Sequence, residues 1–155
     1  MSYIKYDQKD GVLYVLFIMK GYIEIQPKTY EECTQTIEYY KKVIDAIRLN
    51  FPEHRQIFIA DLENSYISEM YSMRYTIRML NEIHDYTKHE RLLDKIIIRN
   101  TGNLIMKVYN TVKRVLPPFI DELLIIEPMK DTQKSDTDES EVSVLENLAK
   151  CIHDT

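Results

Sequence analysis

The chain has 155 residues, 45% of them hydrophobic, with only 3 glycines and 5 prolines, which excludes a collagenous or disordered protein and predicts a globular domain. No apolar run approaches the roughly 20 residues of a membrane span, and the polar start MSYIKYDQKDG lacks the apolar core of a secretion signal, so a cytoplasmic location is expected. The net charge of −5 is unevenly spread: residues 131–141 (DTQKSDTDESE) carry five acids against one base, whereas Lys88, Arg91, Lys95, Arg99, Lys107, Lys113 and Arg114 are opposed locally only by Glu90 and Asp94. A chain-wide attraction to nucleic acid is therefore excluded, and a local anion-facing patch is left.

After Gly11 the run LYVLFIM is apolar throughout and rich in β-formers, the pattern of a strand buried on both faces. Lys20-Gly21 marks a bend, past which YIEIQ is expected to continue the strand. Thr29, three residues before Glu32, forms a capping box. Cys33, Ile37, Tyr40, Ile44, Ile47 and Phe51 then recur at steps of three and four, predicting a helix that stops near Asn50, ahead of Pro52. QIFIA (56–60) is a short strand closing on Asp61. A second helix follows Ser68, with Met70, Met73, Ile77 and Leu80 on one stripe and Ile83 extending it.

A strand over 95–99, a helix over 103–116 and a strand over 123–126 follow. The order β-α-β-α-β-α-β predicts an α/β domain over residues 1–128, with a mostly parallel sheet and crossover helices. Residues 129–141 read as an acidic flexible linker. Residues 142–155 read as a C-terminal amphipathic helix, packing on or near the domain with Val144, Leu145, Leu148 and Ile152 on one side. The linker is also expected to fold back on the basic stretch and screen it. In such sheets ligands bind beyond the carboxyl ends of strands, here marked by Asp61-Leu62-Glu63-Asn64 and Asn100-Thr101-Gly102-Asn103.

Little of this supports catalysis. Neither G-x-G-x-x-G nor the Walker lysine motif is present, and Thr101 and Asn103 are expected as helix caps. His84 and His89 lie five apart, so on a helix they point in different directions, and no metal or cofactor is expected. Asp61 has no identifiable catalytic partner and reads as a turn former, and no G-x-S-x-G elbow occurs. Cys33 and Cys151 are too far apart for a metal or redox motif and read as free thiols. Tyr30, Tyr40, Tyr75 and Tyr86 suit the core boundary, while Met70, Met73, Met79 and Met106 either fill the core or line an adaptable pocket.

Several segments together resemble one family. DKIIIRNTGNLIMKVYNTVKRVLPPF (94–119) is similar to the late part of CRAL-TRIO lipid-binding domains: an apolar strand, Asn, a small turn, then a helix with aromatic and basic residues ending in Pro-Phe. IFIADLENS (57–65) resembles the central strand of that family, VLFIMKGYIEIQPKTYEE (15–32) its opening strand and bend, and EVSVLENLAKCI (141–152) its last helix. The resemblance implies a non-catalytic binding module for a small hydrophobic or lipid ligand at anionic membrane surfaces. It implies Met70, Met73, Ile77, Leu104, Ile105 and Val108 as ligand-lining residues. Lys107, Lys113 and Arg114 would meet anionic headgroups.

The chain departs from that pattern in its Thr101-Gly102 turn, its short 117–123 connection and the lack of a preceding helical extension in this sequence, which together imply a cavity that is reduced, open or lost. GVLYVLFIMKG (11–21) with IADLENSYIS (59–68) is also similar to STAS regulatory domains. That alternative implies a protein-interaction module without a lipid pocket, with Ser65 or Ser68 at the phosphorylation position.

Overall fold

The computed structural model describes residues 3–88 and 93–128. The linker, the C-terminal helix, His89, Arg91 and Cys151 lie outside the described residues. Five strands, β1 (Ile4–Lys9), β2 (Val12–Ile18), β3 (Arg55–Asp61), β4 (Leu93–Thr101) and β5 (Leu124–Pro128), stand side by side in chain order. β1 and β2 pair antiparallel, and β2, β3, β4 and β5 are mutually parallel. The helices are α1 (Met19–Ile25), α2 (Tyr30–Asn50), α3 (Met73–Thr87), α4 (Asn103–Val112) and α5 (Phe119–Leu123). None among the described residues is long and apolar enough to cross a membrane.

β1 extends the expected order at its start. Asp10 (φ 53°) and Gly11 (φ 79°) both occupy the left-handed region between the paired residues Lys9 and Val12. That is the backbone of a tight two-residue hairpin, which Asp-Gly favours. A second correction concerns YIEIQ, of which YIEI ends α1 and Gln26 follows it, rather than continuing a strand. The alternation of Tyr22, Ile23, Glu24 and Ile25 imitates a strand. The helix wins because it turns Tyr22 inward, 4% exposed, against Tyr3 and Phe17 at ring distances of 6.1 and 5.5 Å.

α2 begins as its residues dictate. Thr29 Oγ1 accepts from the Glu32 amide at 3.1 Å, and Glu32 Oε1 accepts from the Lys28 amide at 2.8 Å. Cys33, Ile37 and Ile47 are its buried residues, and burial pushes the Cys33 thiol pKa up. α3 starts at Met73, later than expected, because Ile67–Glu69 forms a separate 3-10 turn closed by the Glu69 carboxylate on the Tyr66 amide (2.9 Å). Its apolar residues serve two clusters rather than one stripe. Ile77 joins Leu104, Val108 and Val112 of α4, whereas Met79 joins Tyr22, Cys33 and Ile37, and Leu80 is left 40% exposed.

The helices share one face of the sheet. Leu13, Val15 and Phe58 pack with Ile47 and Val43 of α2, and Phe17 packs with Tyr22 and Tyr40. Strand register places Ala60 and Ile98 in the same row as Phe17, beneath α4. α5 joins this side through Phe119, which stacks on His84 of α3 at 4.7 Å. The alternating residues Tyr14, Leu16, Ile57, Ile59, Ile97 and Ile125 point the other way. So LYVLFIM, expected to be buried on both faces, is fully covered on one among the described residues: Leu13 and Val15 are buried, Tyr14 and Leu16 only partly.

Gly21 lies where a Cβ would stand 2.6 Å from Tyr3 Cβ. A helical glycine-to-alanine change ordinarily stabilises by about 1 kcal/mol. Here the methyl meets the stem of a buried side chain, so Gly21→Ala is expected to destabilise by about 1–3 kcal/mol, read as a lower urea midpoint. Burial holds the Tyr22 and Tyr40 phenols far above the ordinary tyrosine range, and raises that of Tyr3, whose hydroxyl bonds that of Tyr40 at 3.0 Å. These shifts are upward, so their stabilisation is complete below about pH 10 and is lost as the pH rises beyond the unfolded value. In an alkaline absorbance titration, Tyr22 and Tyr40 should ionise only together with loss of helical circular dichroism.

Candidate functional site

The carboxyl ends of β3 and β4 are joined by side chains. Asp61 Oδ1 accepts from the Glu63 amide at 3.0 Å and from Asn100 Nδ2 at 2.8 Å. The Leu62 amide donates to Arg99 O at 3.0 Å, carrying the pairing one step past β3. Asn100 itself is left-handed at φ 60°, a conformation asparagine tolerates better than most residues. Asp61 is thus a turn former that also links two strands.

The expected caps are not made. Gly102 is the N-cap of α4 and has no side chain with which to cap it. The Thr101 hydroxyl, 3% exposed, donates instead to Glu127 O at 3.1 Å and ties β4 to β5. A buried hydroxyl must find a partner, and the β5 carbonyl supplies one that a helix start would not.

Under this turn lies a pocket of about 160 Å³, floored by Ala60 and Ile98. Of the residues expected to line a ligand site, Met70, Met73, Leu104, Ile105 and Val108 line it together. Ile77 does not. It is 2% exposed and packs behind the pocket against Leu104 and Val108. Thr76 on α3 also reaches the pocket, and its Oγ1 is buried without a well-formed hydrogen bond. The neighbouring Tyr22 hydroxyl is directed at Met79 Sδ, 3.9 Å away. Thr76, Ala60 and Ile98 escaped sequence reasoning. Ala60 and Ile98 were in expected strands, but only the register between β3 and β4 brings them together.

α4 is the outer wall. The Tyr109 hydroxyl donates to Asp121 Oδ1 at 2.6 Å, and Asn81 Nδ2 of α3 donates to Val115 O at 3.2 Å, just past the helix. Desolvation and the Asp121 carboxylate together push the Tyr109 phenol up to about 12, so it remains the donor at neutral pH. Lys107, Lys113 and Arg114 are exposed on α4 and the 3-10 turn Lys113–Val115. Lys95 and Arg99 alternate with Ile96 and Ile98 and so emerge on the opposite face of the sheet. The basic stretch is therefore two surfaces, not one patch.

Ser65 lines the pocket rim, partly buried, with its hydroxyl on Glu63 O at 3.3 Å, while Ser68 is exposed. A larger, open groove of about 420 Å³ runs along Tyr3, Gln26, Glu32 and Tyr39. Its Gln26 clamps the loop before α3, donating to Glu69 O and accepting from the Tyr71 amide, both at 2.7 Å. Among the described residues no group of three or more histidine, cysteine or carboxylate side chains is placed to hold a metal.

The chain is an α/β protein built on a five-stranded sheet, three of whose four pairings are parallel. No protein-family model, curated protein or solved structure matches it.

The Asn100 bridge gives a graded expectation. Asn100→Ala removes the amide and places a Cβ-bearing residue without a polar side chain at positive φ, and should destabilise by about 1–3 kcal/mol. Asn100→Gly removes only the amide and should lose less, with urea unfolding of both variants as the check.

Proposed function

We propose that this domain is a non-catalytic binding module of the CRAL-TRIO kind, holding a small hydrophobic ligand or one apolar end of a lipid between α3, α4 and the sheet. The observation that carries this reading is the pocket of about 160 Å³ at the carboxyl ends of β3 and β4, where Met70, Met73, Leu104, Ile105 and Val108 converge. Apolar cavities near 150 Å³ hold a benzene-sized group, whereas drug-sized ligands need roughly 300–1,000 Å³. A single apolar segment therefore fits as the pocket stands. A longer ligand requires α4 to swing outward between Gly102 and Pro117, with the two methionines re-packing around it.

Exposed Lys107, Lys113 and Arg114 lie on the outer side of the same wall. They suit contact with anionic headgroups, at about 1 kcal/mol per well-placed base. The modest volume favours one alternative, a STAS-like regulatory module that works through its surface alone.

The test is native mass spectrometry and lipid extraction of the purified protein, followed by competition with a fluorescent fatty acid. A bound or exchangeable apolar ligand is expected. Ala60→Leu, which fills the pocket from its floor, should weaken fluorescent fatty-acid binding at least tenfold while leaving the unfolding midpoint close to wild type. Absence of any ligand, or equal binding by Ala60→Leu, would return the reading to the regulatory alternative.

A further inference from the structure

The sheet face turned away from the pocket carries an apolar row that the described helices do not cover. Leu16, Ile59, Ile97 and Ile125 stand in register across four neighbouring strands, with Tyr14 and Ile57 beside them. Among the described residues none of the six belongs to a core cluster, and Ile125 is 41% exposed. Yet β2, β3, β4 and β5 read as VLYVLFI, QIFIA, KIII and LII, near-continuous apolar runs of the kind found in strands buried on both faces. A second cover is called for, and α1 to α5 are all committed to the first face.

We propose that residues 142–152 of this chain form that cover, lying as an amphipathic helix on Leu16, Ile59, Ile97 and Ile125. β5 is an edge strand and ends at Pro128, so the chain leaves the sheet where either face is within reach. Residues 129–141 extend up to roughly 43–47 Å at about 3.3–3.6 Å per residue. The sheet is only about 23 Å long along seven-residue strands such as β2 and β3. A helix over 142–152 is about 16 Å long, matching the roughly 14 Å width of the four-strand row. Val144, Leu148 and Ile152 repeat at steps of four with Leu145 beside them, one apolar stripe for one apolar row.

Charge agrees. Exposed Lys5, Lys9, Lys95 and Arg99 border this face, and the connecting 131–141 segment carries five acids against one base. Asp7 and Glu127 on the same face offset part of that positive charge, so the complementarity guides the segment rather than holding it.

Cys151 provides the test, because on a helix it lies about 20° around from Val144, at the border of the stripe. The full-length Ile97→Cys variant is oxidised mildly and mapped by non-reducing digestion. Cys33, 0% exposed, stays out of the reaction. A disulfide within one chain between position 97 and Cys151 is expected, with at least tenfold less linkage in Lys107→Cys, which lies across the molecule. Hydrogen exchange on the unmodified chain supplies a second reading that no substitution can spoil. Amides of 142–152 should exchange at least tenfold slower than in an unfolded chain, and Leu145→Asp with Leu148→Asp should abolish that protection. Exchange of 142–152 at unfolded rates, equal linkage at position 107, or disulfides only between chains would each overturn the proposal, the last in favour of a second copy on this face.

Discussion

Strand order is the constraint on which the rest depends. Each parallel crossover, from β2 to β3, β3 to β4 and β4 to β5, advances one strand in the same direction. Crossovers share one hand, so a sheet that never reverses its order must place every connecting helix on the same side. Sheets whose order reverses acquire helices on both faces and a crevice at the reversal. This one has no reversal, so among the described residues its concavity arises between the sheet and the helical layer on that side, where α3 and α4 part over Ala60 and Ile98.

What keeps that pocket open at its top is the joining of strand ends by side chains. Asp61 and Asn100 bridge β3 to β4, and Thr101 bridges β4 to β5, so the strand ends hold their spacing without a helix pressing down on them. α4 then starts from Gly102, which has no side chain to cap it, and is held beyond its first turn by Tyr109 and Asn81. A wall that faces two methionines is suited to small adjustments in shape.

Local chemistry was legible in the sequence wherever a few neighbouring residues decide the outcome. The Thr29 cap, the spacing from Cys33 to Ile47 and the turn role of Asp61 all follow from short-range rules, and the structure bears them out, though the Glu32 carboxylate reaches the Lys28 amide instead of closing the box on Thr29. The Asp10-Gly11 turn is equally local. Its meaning was hidden because β1, IKYDQK, has no apolar run to announce a strand. α1 was misread because YIEI alternates like a strand, and only Tyr3 and Phe17, brought in by the hairpin, make the helical choice better. Thr101 reads as a cap because its true acceptor, the Glu127 carbonyl, lies 26 residues downstream. The candidate site was legible to the same degree: Met70, Met73, Leu104, Ile105 and Val108 could be named from helix spacing, but their floor required the register of two strands.

The composition of β1 has a bearing on how the molecule coexists with its own copies. An edge strand presents unpaired amides and carbonyls to any passing chain. β1 carries Lys5, Asp7 and Lys9 on one of its faces, all exposed, and the rim they form sets charge beside those open backbone groups. At the far edge, β5 is only five residues long and terminates in Pro128, which has no amide to donate. Both margins of an otherwise very apolar sheet are thereby made poor templates for strand addition, so the hairpin that begins the fold also helps keep it from growing.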